Sequence, residues 1–256
     1  MLVVSYTKYS NNKIPSAFDG FKILQVSDLH NKQFGKNQSR LVKKISSITP
    51  DIIVITGDLV DSYHTEISKA MKLIDEIIKL APVYYVPGNH EARDSIYEKI
   101  KPLLIASGVH VLFNKSEVFE KANQHIGICG LADPDFLDSR NYKQQLCENL
   151  NTLKNLAVES KIRFNILLAH DPSFFKIYDK PGFALVFSGH AHGGQFRIPF
   201  WRGLYAPGQG LFPKYTSGLH QLKNTSMVIS RGLGNSSFPL RLFNFPELVV
   251  ISLKSN

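Results

Sequence analysis

Short apolar runs, several of them rich in β-branched residues, recur along the chain and are separated by polar segments. Runs of four to eight such residues between turn signals are typical of strands that are buried on both faces of a sheet. The runs lie at residues 21–26, 52–56, 83–86, 126–129, 164–169, 185–187 and 248–253. The pattern therefore predicts a core built of strands.

Between several of these runs, apolar residues recur at three- to four-residue spacing, the period of an amphipathic helix. The helical segments carry Leu41, Ile45 and Ile48, then Ile67, Met71, Ile74 and Ile78, then, from residue 140 to about residue 160, Leu146, Leu150, Leu153 and Leu156. Alternating strands and helices predict an α/β architecture. No repeat or linker divides the chain, so we expect one domain over residues 1–256. Residues 193–213 are rich in glycine and proline, which predicts loops.

Side chains of the types that commonly bind metals follow five of the predicted strands. The clusters are Asp28 and His30, then Asp58 and Asp61, then Asn89, His90 and Glu91, then His170 and Asp171, then His190 and His192. In open α/β sheets, functional sites form beyond the carboxyl ends of the strands. We therefore expect these clusters to meet at one edge. The glycines beside them allow sharp backbone turns and leave room for a substrate.

The types of side chain indicate the class of metal. Histidine, aspartate and an amide oxygen without a thiolate suit Zn²⁺, Mn²⁺ or Fe rather than a structural zinc site. Two metals about 3.5–4 Å apart need a bridging carboxylate, and Asp58 is the best candidate. Such a pair of divalent ions can hold a hydroxide at neutral pH and clamp phosphate oxygens during in-line attack. The expected reaction is hydrolysis of a phosphate ester.

The order of the clusters resembles the motif set of calcineurin-like metallophosphoesterases. The matching blocks are Asp28-x-His30, Gly57-Asp58-x-x-Asp61, Gly88-Asn89-His90-Glu91, His170 and Gly189-His190-x-His192. One short motif is weak evidence, whereas five in order are specific. The resemblance implies a two-sheet sandwich flanked by helices and a dinuclear metal centre.

The resemblance also implies a role for each position. The implied ligands of one metal are Asp28, His30 and His192, those of the other are Asn89, His170 and His190, and Asp58 bridges the two. His90 is implied to protonate the leaving oxygen and to be oriented by Asp61. A carboxylate beside a histidine favours the imidazolium, which suits general acid catalysis near neutral pH.

The flanking segments resemble a narrower group, the bacterial phosphohydrolases of the YkuE/YaeI type. The resemblance lies in residues 14–23, 192–199, 230–234 and 246–247. It implies phosphodiester or pyrophosphate substrates, some of them lipid-linked in the manner of UDP-acylglucosamine. Many relatives carry an N-terminal membrane segment, and no such segment is visible in this sequence.

Three residues are candidates for substrate contact. Asp133 follows a predicted strand, although a turn explains an aspartate there equally well. Arg197 lies just beyond the last metal cluster. Arg231, like Arg241, is a candidate phosphate clamp, although an ordinary salt bridge is the commoner role of such an arginine.

Aromatic residues are concentrated directly after the last metal cluster. They are accompanied by cationic residues, which include Arg202 and Lys214. Such a mixture suits contact with acyl chains and anionic headgroups, and a loop folded back into the core explains it equally well. The aromatic residues are Phe196, Phe200, Trp201, Tyr205, Phe212 and Tyr215.

Charge and composition narrow the class of partner. The 256-residue chain has a formal net charge of +9, which favours anionic partners. Its lysines and arginines are dispersed, which disfavours a nucleic-acid-binding arm. We expect a phosphorylated small-molecule or lipid-linked substrate. No apolar stretch is long enough to span a membrane and no signal-peptide pattern is present, so we expect a cytoplasmic location, with peripheral contact at the inner membrane as the alternative.

Three other functions share the same metal ligands. A nuclease fits the basic charge, but no long basic arm or capping domain is evident. A protein serine/threonine phosphatase is disfavoured because that subfamily has an arginine where this chain has Ser62. A catalytically silent binding module is disfavoured because such proteins usually lack a ligand or the acid, and here all are present.

Overall fold

The computed structural model describes residues 1–137, 140–159, 162–180, 182–197, 203–206, 209–235 and 241–256. The strands are β1 (Val3–Asn11), β2 (Lys22–Val26), β3 (Ile52–Thr56), β4 (Val83–Val86), β5 (His110–Val111), β6 (Lys115–Lys121), β7 (Gln124–Leu131), β8 (Asn165–Ala169), β9 (Leu185–Ser188), β10 (Tyr205–Ala206), β11 (Gly210–Leu211), β12 (Gly218–Leu222), β13 (Thr225–Ile229) and β14 (Glu247–Ser255). The helices are α1 (Ser39–Ser46), α2 (Ile67–Ile77), α3 (Ile96–Ala106), α4 (Tyr142–Glu159) and α5 (Phe175–Tyr178).

Two six-stranded sheets form the centre of the fold. The first has the order β1-β14-β2-β3-β4-β5, in which β2 to β5 run parallel and β14 is antiparallel to β2. The second has the order β12-β13-β9-β8-β7-β6, in which β13, β9, β8 and β7 run parallel. A two-stranded hairpin of β10 and β11 lies apart from both. The parallel strands at the middle of each sheet end at the same edge.

Alternate residues of the central strands face two different cores. Ile52 and Val54 belong to the apolar layer between the sheets, together with Phe187 of β9. Ile53 and Ile55 belong to the layer beneath α1, α2 and α3. A third layer packs α4 and α5 on the outer face of the second sheet. The four-layer order of helix, sheet, sheet and helix confirms the predicted sandwich.

The predicted elements agree closely with those of the structure. The runs at residues 52–56 and 83–86 are β3 and β4 without change of bounds, and the other five strands shift at one or both ends. Strands buried on both faces are continuously apolar, and this makes them visible in the sequence. Of the predicted loop region, the described part holds the short β10–β11 hairpin, and a 3-10 turn over His192–Gly194 overlaps its start.

The apolar pattern does not predict the strands β1, β5, β6 and β10–β13 or the helices α3 and α5. Strand β1 lies at the edge of its sheet and is mostly half-exposed, so it has no apolar run. Helix α3 contains Pro102, and the exposed Leu103 and Ile105 obscure its apolar stripe. Within the described residues, no helix is both long and apolar enough to cross a membrane.

Adjacent leucines of α3 provide a matched test of the packing. Leu104 is 0% exposed and Leu103 is 44% exposed, so the two Leu→Ala changes have the same helix propensity and different burial. We expect Leu104→Ala to lower the free energy of unfolding by about 2–5 kcal/mol, because it leaves a cavity. Leu103→Ala should cost about 1 kcal/mol or less. Urea denaturation measures both, and equal losses would contradict the assigned packing.

Candidate metal centre

The loops that follow β2, β3, β4, β8 and β9 converge at one edge of the two sheets. They bring all seven predicted metal ligands together, and six of these are buried. Buried polar side chains at such density require strong mutual pairing or a bound ion. The ligands are Asp28, His30, Asp58, Asn89, His170, His190 and His192.

Four of these side chains form a first cluster. Nε2 of His30 lies 3.2 Å from Nε2 of His192 and 3.5 Å from Oδ2 of Asp58. Nε2 of His192 lies 3.4 Å from Oδ1 of Asp28. The four potential ligand atoms lie within 4.8 Å of one another, which is the spacing expected around one cation.

A second cluster shares Asp58 with the first. Oδ2 of Asp58 lies 3.1 Å from Nε2 of His170, and the same oxygen contacts His30 of the first cluster. Oδ1 of Asn89 lies 3.1 Å from that nitrogen of His170 and 2.9 Å from Nδ1 of His190. Asp58 therefore stands between the two sets, as a bridging carboxylate must.

The backbone at the two clusters is strained. A non-glycine residue rarely has a positive φ, and holding one there costs about 1–3 kcal/mol. The surrounding hydrogen bonds must offset this cost, and such strain is concentrated at functional sites. Five of the seven predicted ligands have φ between 43° and 62°: Asp28, His30, Asp58, His190 and His192.

Two glycines permit the close approach of the loops. Gly57 has a φ of 84°, and a Cβ atom there would lie 2.5 Å from Nδ1 of His170. A Cβ atom on Gly88 would lie 2.8 Å from the backbone nitrogen of Asp58. Any side chain at either position would push the loops apart, so the site requires glycine at both.

The electrostatics favour a bound cation. Burial lowers the pKa of His30 to about 4 and also lowers the pKa values of His190 and His192, which keeps these rings neutral. Burial raises the pKa of Asp28 to about 6. Neutral imidazoles and crowded carboxylates together form a donor set that suits divalent transition metals. We conclude that the residues present fit two metal ions.

His170 responds differently because it faces several carboxylates. Burial opposes its protonation, yet the charges of Asp58 and Asp28 raise its pKa well above the ordinary value. Nδ1 of His170 lies 2.7 Å from the carbonyl oxygen of Thr56, so Nδ1 carries a proton and donates it. This contact leaves Nε2 as the ligand atom when the ring is neutral, the usual arrangement behind a metal-binding histidine.

His192 has a contact that competes with metal binding. Its Nδ1 lies 3.2 Å from Nη2 of Arg241. A guanidinium can only donate hydrogen bonds, so this contact requires a lone pair on Nδ1 and a proton on Nε2. Coordination of a cation through Nε2 requires the opposite tautomer, and the contact with Arg241 must then loosen.

His90 lies closer to Ser62 than to its predicted partner Asp61. Nδ1 of His90 accepts a hydrogen bond of 3.0 Å from the backbone N–H of Ser62, and Oγ of Ser62 is also 3.0 Å away. Oδ1 of Asp61 is 4.0 Å from the same nitrogen and accepts from the backbone of Tyr63 instead. The His90 ring packs edge-on against His30 at 4.5 Å between centroids, beside the first cluster.

Glu91 supports the centre from behind, as its place in the Gly88-Asn89-His90-Glu91 motif suggests, through partners that the sequence does not reveal. Its carboxylate is fully buried and accepts hydrogen bonds from the backbone N–H groups of Asp58, Val60 and Gly88 at 2.8–3.1 Å. Burial raises the pKa of Glu91 to about 8, and the charge of Asp58 adds to the rise. The side chain fastens the loop after β3 to the loop after β4. The motif identified the residue, but these partners become visible only in three dimensions.

The three predicted substrate-contact residues have partners of their own, and the charge of Asp133 also acts on His170. Asp133 is buried and caps a turn through the N–H of Asp135. Arg231 forms an ion pair of 2.9 Å with Glu247, and Arg197 donates to Ser217 at 2.8 Å. Both arginines line a small cavity that includes none of the predicted metal ligands. The described contacts of Asp133 and Arg231 are thus a turn and a salt bridge, and their contact with substrate stays a prediction.

Some aromatic residues that follow the last metal cluster pack into the core, and others lie on the surface. Tyr215 packs edge-on against Phe175 at 5.5 Å, as a folded-back loop requires. Tyr205 and Phe212 are exposed, as a surface contact requires. Phe200, Trp201 and Arg202 lie outside the described residues.

Substitution of Glu91 tests whether its hydrogen bonds hold the centre together. Glu91→Gln keeps the shape but turns an amide group toward a backbone N–H donor. We expect a loss of about 1.5–3 kcal/mol in unfolding free energy and roughly tenfold or weaker metal affinity. Denaturation and metal titration measure the two effects.

The control for this substitution is Glu76→Gln on α2, where the carboxylate is exposed and paired only with Lys79. It should change stability by less than about 1 kcal/mol. If both variants keep the parent stability and metal affinity, Glu91 does not support the centre.

Comparison with known proteins agrees with this geometry. The family model for calcineurin-like phosphoesterases matches residues 21–194, which is more than half of the chain. The metallophosphoesterase YkuE of Bacillus subtilis is 33% identical over 251 residues, and the match covers 94% of this chain and 82% of that protein. Phosphodiesterase YaeI of Escherichia coli is 28% identical, with 91% and 82% covered.

Solved structures support the fold, and some relatives are longer. The crystal structure of TT1561 of Thermus thermophilus is 10% identical with a TM-score of 0.52, covering 83% of this chain and 89% of that one. The chain spans 61% of a related metallophosphoesterase of Campylobacter jejuni. The extent of the family match, the similarity to YkuE and the paired metal-ligand clusters lead to one conclusion: this chain belongs to the calcineurin-like phosphoesterase family.

Proposed function

We propose that this chain hydrolyses phosphodiester or pyrophosphate bonds of small molecules, lipid-linked ones among them, with two divalent metals such as Mn, Zn or Fe. The observation that carries the proposal is the position of Asp58, whose Oδ2 contacts a histidine of each cluster. When bound, the metals supply Lewis-acid polarisation of the phosphoryl oxygens and a strong nucleophile at neutral pH.

The side chains of the centre then have separate tasks. Asp58 holds the two ligand sets at a fixed separation, and Glu91 holds its loop. His90 carries its proton on Nε2, because Nδ1 accepts from the Ser62 N–H. That proton is available to the leaving oxygen. The acid in this geometry is a neutral imidazole, and burial lowers the pKa of His90 accordingly.

Several features support small anionic substrates and contact with a membrane surface. The net charge is +9, and the exposed Tyr205 and Phe212 follow the last metal cluster along the chain. Aromatic and cationic side chains together suit peripheral contact with anionic lipid. Position 62, which is an arginine in protein serine/threonine phosphatases, is a serine here and contacts His90. It therefore provides no cationic side chain for a phosphoprotein substrate.

Asp58→Ala tests the two-metal proposal. The purified protein should cleave bis-p-nitrophenyl phosphate when Mn²⁺ is added and lose the activity with chelator. Asp58→Ala should reduce turnover by at least about 10³-fold, because both metals lose the shared ligand. Metal analysis of the same samples should show less than two bound ions per variant chain. Two tightly bound metals in the variant would contradict a bridging role.

His90→Ala tests the assignment of the acid. A general acid contributes roughly 10²–10⁴-fold when the leaving group needs a proton. We expect a loss of that size with an alkyl phosphodiester and a much smaller loss with the p-nitrophenyl diester, whose leaving group departs as the anion. Metal content should stay at the parent value. Equal losses on both esters would exclude the role in protonation.

A further inference from the structure

A cavity lined by cationic side chains lies near the metal centre. An open cavity of about 570 Å³ separates the segment after β2 from the segment before β14, and this volume is in the range of small-molecule sites. Four cationic side chains line it: Lys32, Arg40, Lys44 and Arg241. None of the described lining residues carries a carboxylate.

Within the described residues the charges in this cavity are balanced only in part, by the electrostatic interaction of Asp28 and Glu247 with Arg241. No ion pair joins the four cations to a carboxylate there, although Arg241 donates to the carbonyl oxygen of Arg231 at 2.8 Å. Nε of Arg241 is buried and has no hydrogen-bond partner among the described residues. Four like charges around one cavity repel each other, and an anion bound between them removes that cost.

The same cavity has an apolar part. Phe34, Phe243 and Phe245 line it together with the cations. Phe243 is 61% exposed and has a φ of 51°, a conformation that is costly for a bulky residue. Phe245 is 44% exposed. Two exposed phenylalanines at the rim of a basic cavity indicate a ligand with an apolar group next to its charge.

We infer that this cavity binds an amphiphilic phosphate, with the anion held by Lys32, Arg40, Lys44 and Arg241 and the apolar group placed against Phe243 and Phe245. Guanidinium and ammonium groups are the usual phosphate partners in proteins. A membrane phospholipid and a dispersed amphiphile share this chemistry. The inference does not depend on hydrolysis, because none of the predicted metal ligands lines the cavity.

Calorimetric titration of the chelator-treated protein tests the site. The probes are dihexanoyl phosphatidic acid below its micellar concentration, dihexanoyl phosphatidylcholine and inorganic phosphate. We expect the phosphatidic acid to bind at least about tenfold more tightly than either of the others, since only it supplies both a net anion and an apolar group. Equal binding of inorganic phosphate would overturn the apolar part of the inference.

Paired variants locate the binding. Arg40→Ala with Lys44→Ala removes two cations of the cavity, and should weaken phosphatidic acid binding about tenfold or more. Lys8→Ala with Lys115→Ala removes the same charge from exposed positions on β1 and β6 and should leave the affinity unchanged. Equal losses in the two pairs would overturn the inference, because they would show attraction by net charge alone.

Three further readouts complete the test. Phe243→Ser with Phe245→Ser should reduce phosphatidic acid binding toward that of inorganic phosphate, and full retention would overturn the assigned apolar contact. Hydrolysis of p-nitrophenyl esters by the Arg40/Lys44 variant should match the parent, so failure of the cavity and failure of the metal centre are distinguishable. Flotation with phosphatidylcholine vesicles, with and without phosphatidylglycerol, identifies the source of the ligand. Flotation only with the vesicles that contain phosphatidylglycerol indicates bilayer lipid, and no flotation with either indicates a dispersed amphiphile.

Discussion

The buried carboxylate of Asp58 is the group on which the site depends. It is 1% exposed and one of its oxygens lies 3.1 Å from His170 and 3.5 Å from His30. An isolated buried carboxylate is very unfavourable, so it needs positive charge on each side. Without metals, protonation of His170 supplies part of that charge, and the pKa of His170 is accordingly raised. Two divalent ions held by the two ligand sets would supply it more completely and would leave both imidazoles neutral.

The fold places this carboxylate where such charges can reach it. The parallel strands of both sheets end at one edge, so each loop contributes one or two ligands. The loops can meet only because Gly57 and Gly88 have no side chain and because several ligands accept positive φ. The strain is offset by hydrogen bonds within the loops, above all those accepted by Glu91. Packing of the two sheets therefore stabilises a site that is unfavourable on its own.

The sequence predicts the features of this site that depend on a single strand or helix. Strands buried on both faces appear as apolar runs, and the ligands follow directly after them, as Asp28 follows β2. Contacts between loops have no comparable pattern in the sequence. The hydrogen bonds of Glu91 to two loops and the closer contact of His90 with Ser62 than with Asp61 depend on backbone geometry. The edge strand β1 was missed for a related reason, because a half-exposed strand with one neighbour needs few apolar residues.

Arg241 connects the metal centre to the basic cavity. Its guanidinium contacts Nδ1 of His192 on one side and lines the cavity on the other. A positive charge behind a ligand opposes the cation that the ligand binds, and here the buried Asp28 offsets only part of that opposition. An anion in the cavity screens the same charge from the opposite direction. The cationic lining and the metal ligands are thus electrostatically opposed neighbours, and Arg241 is the residue that they share.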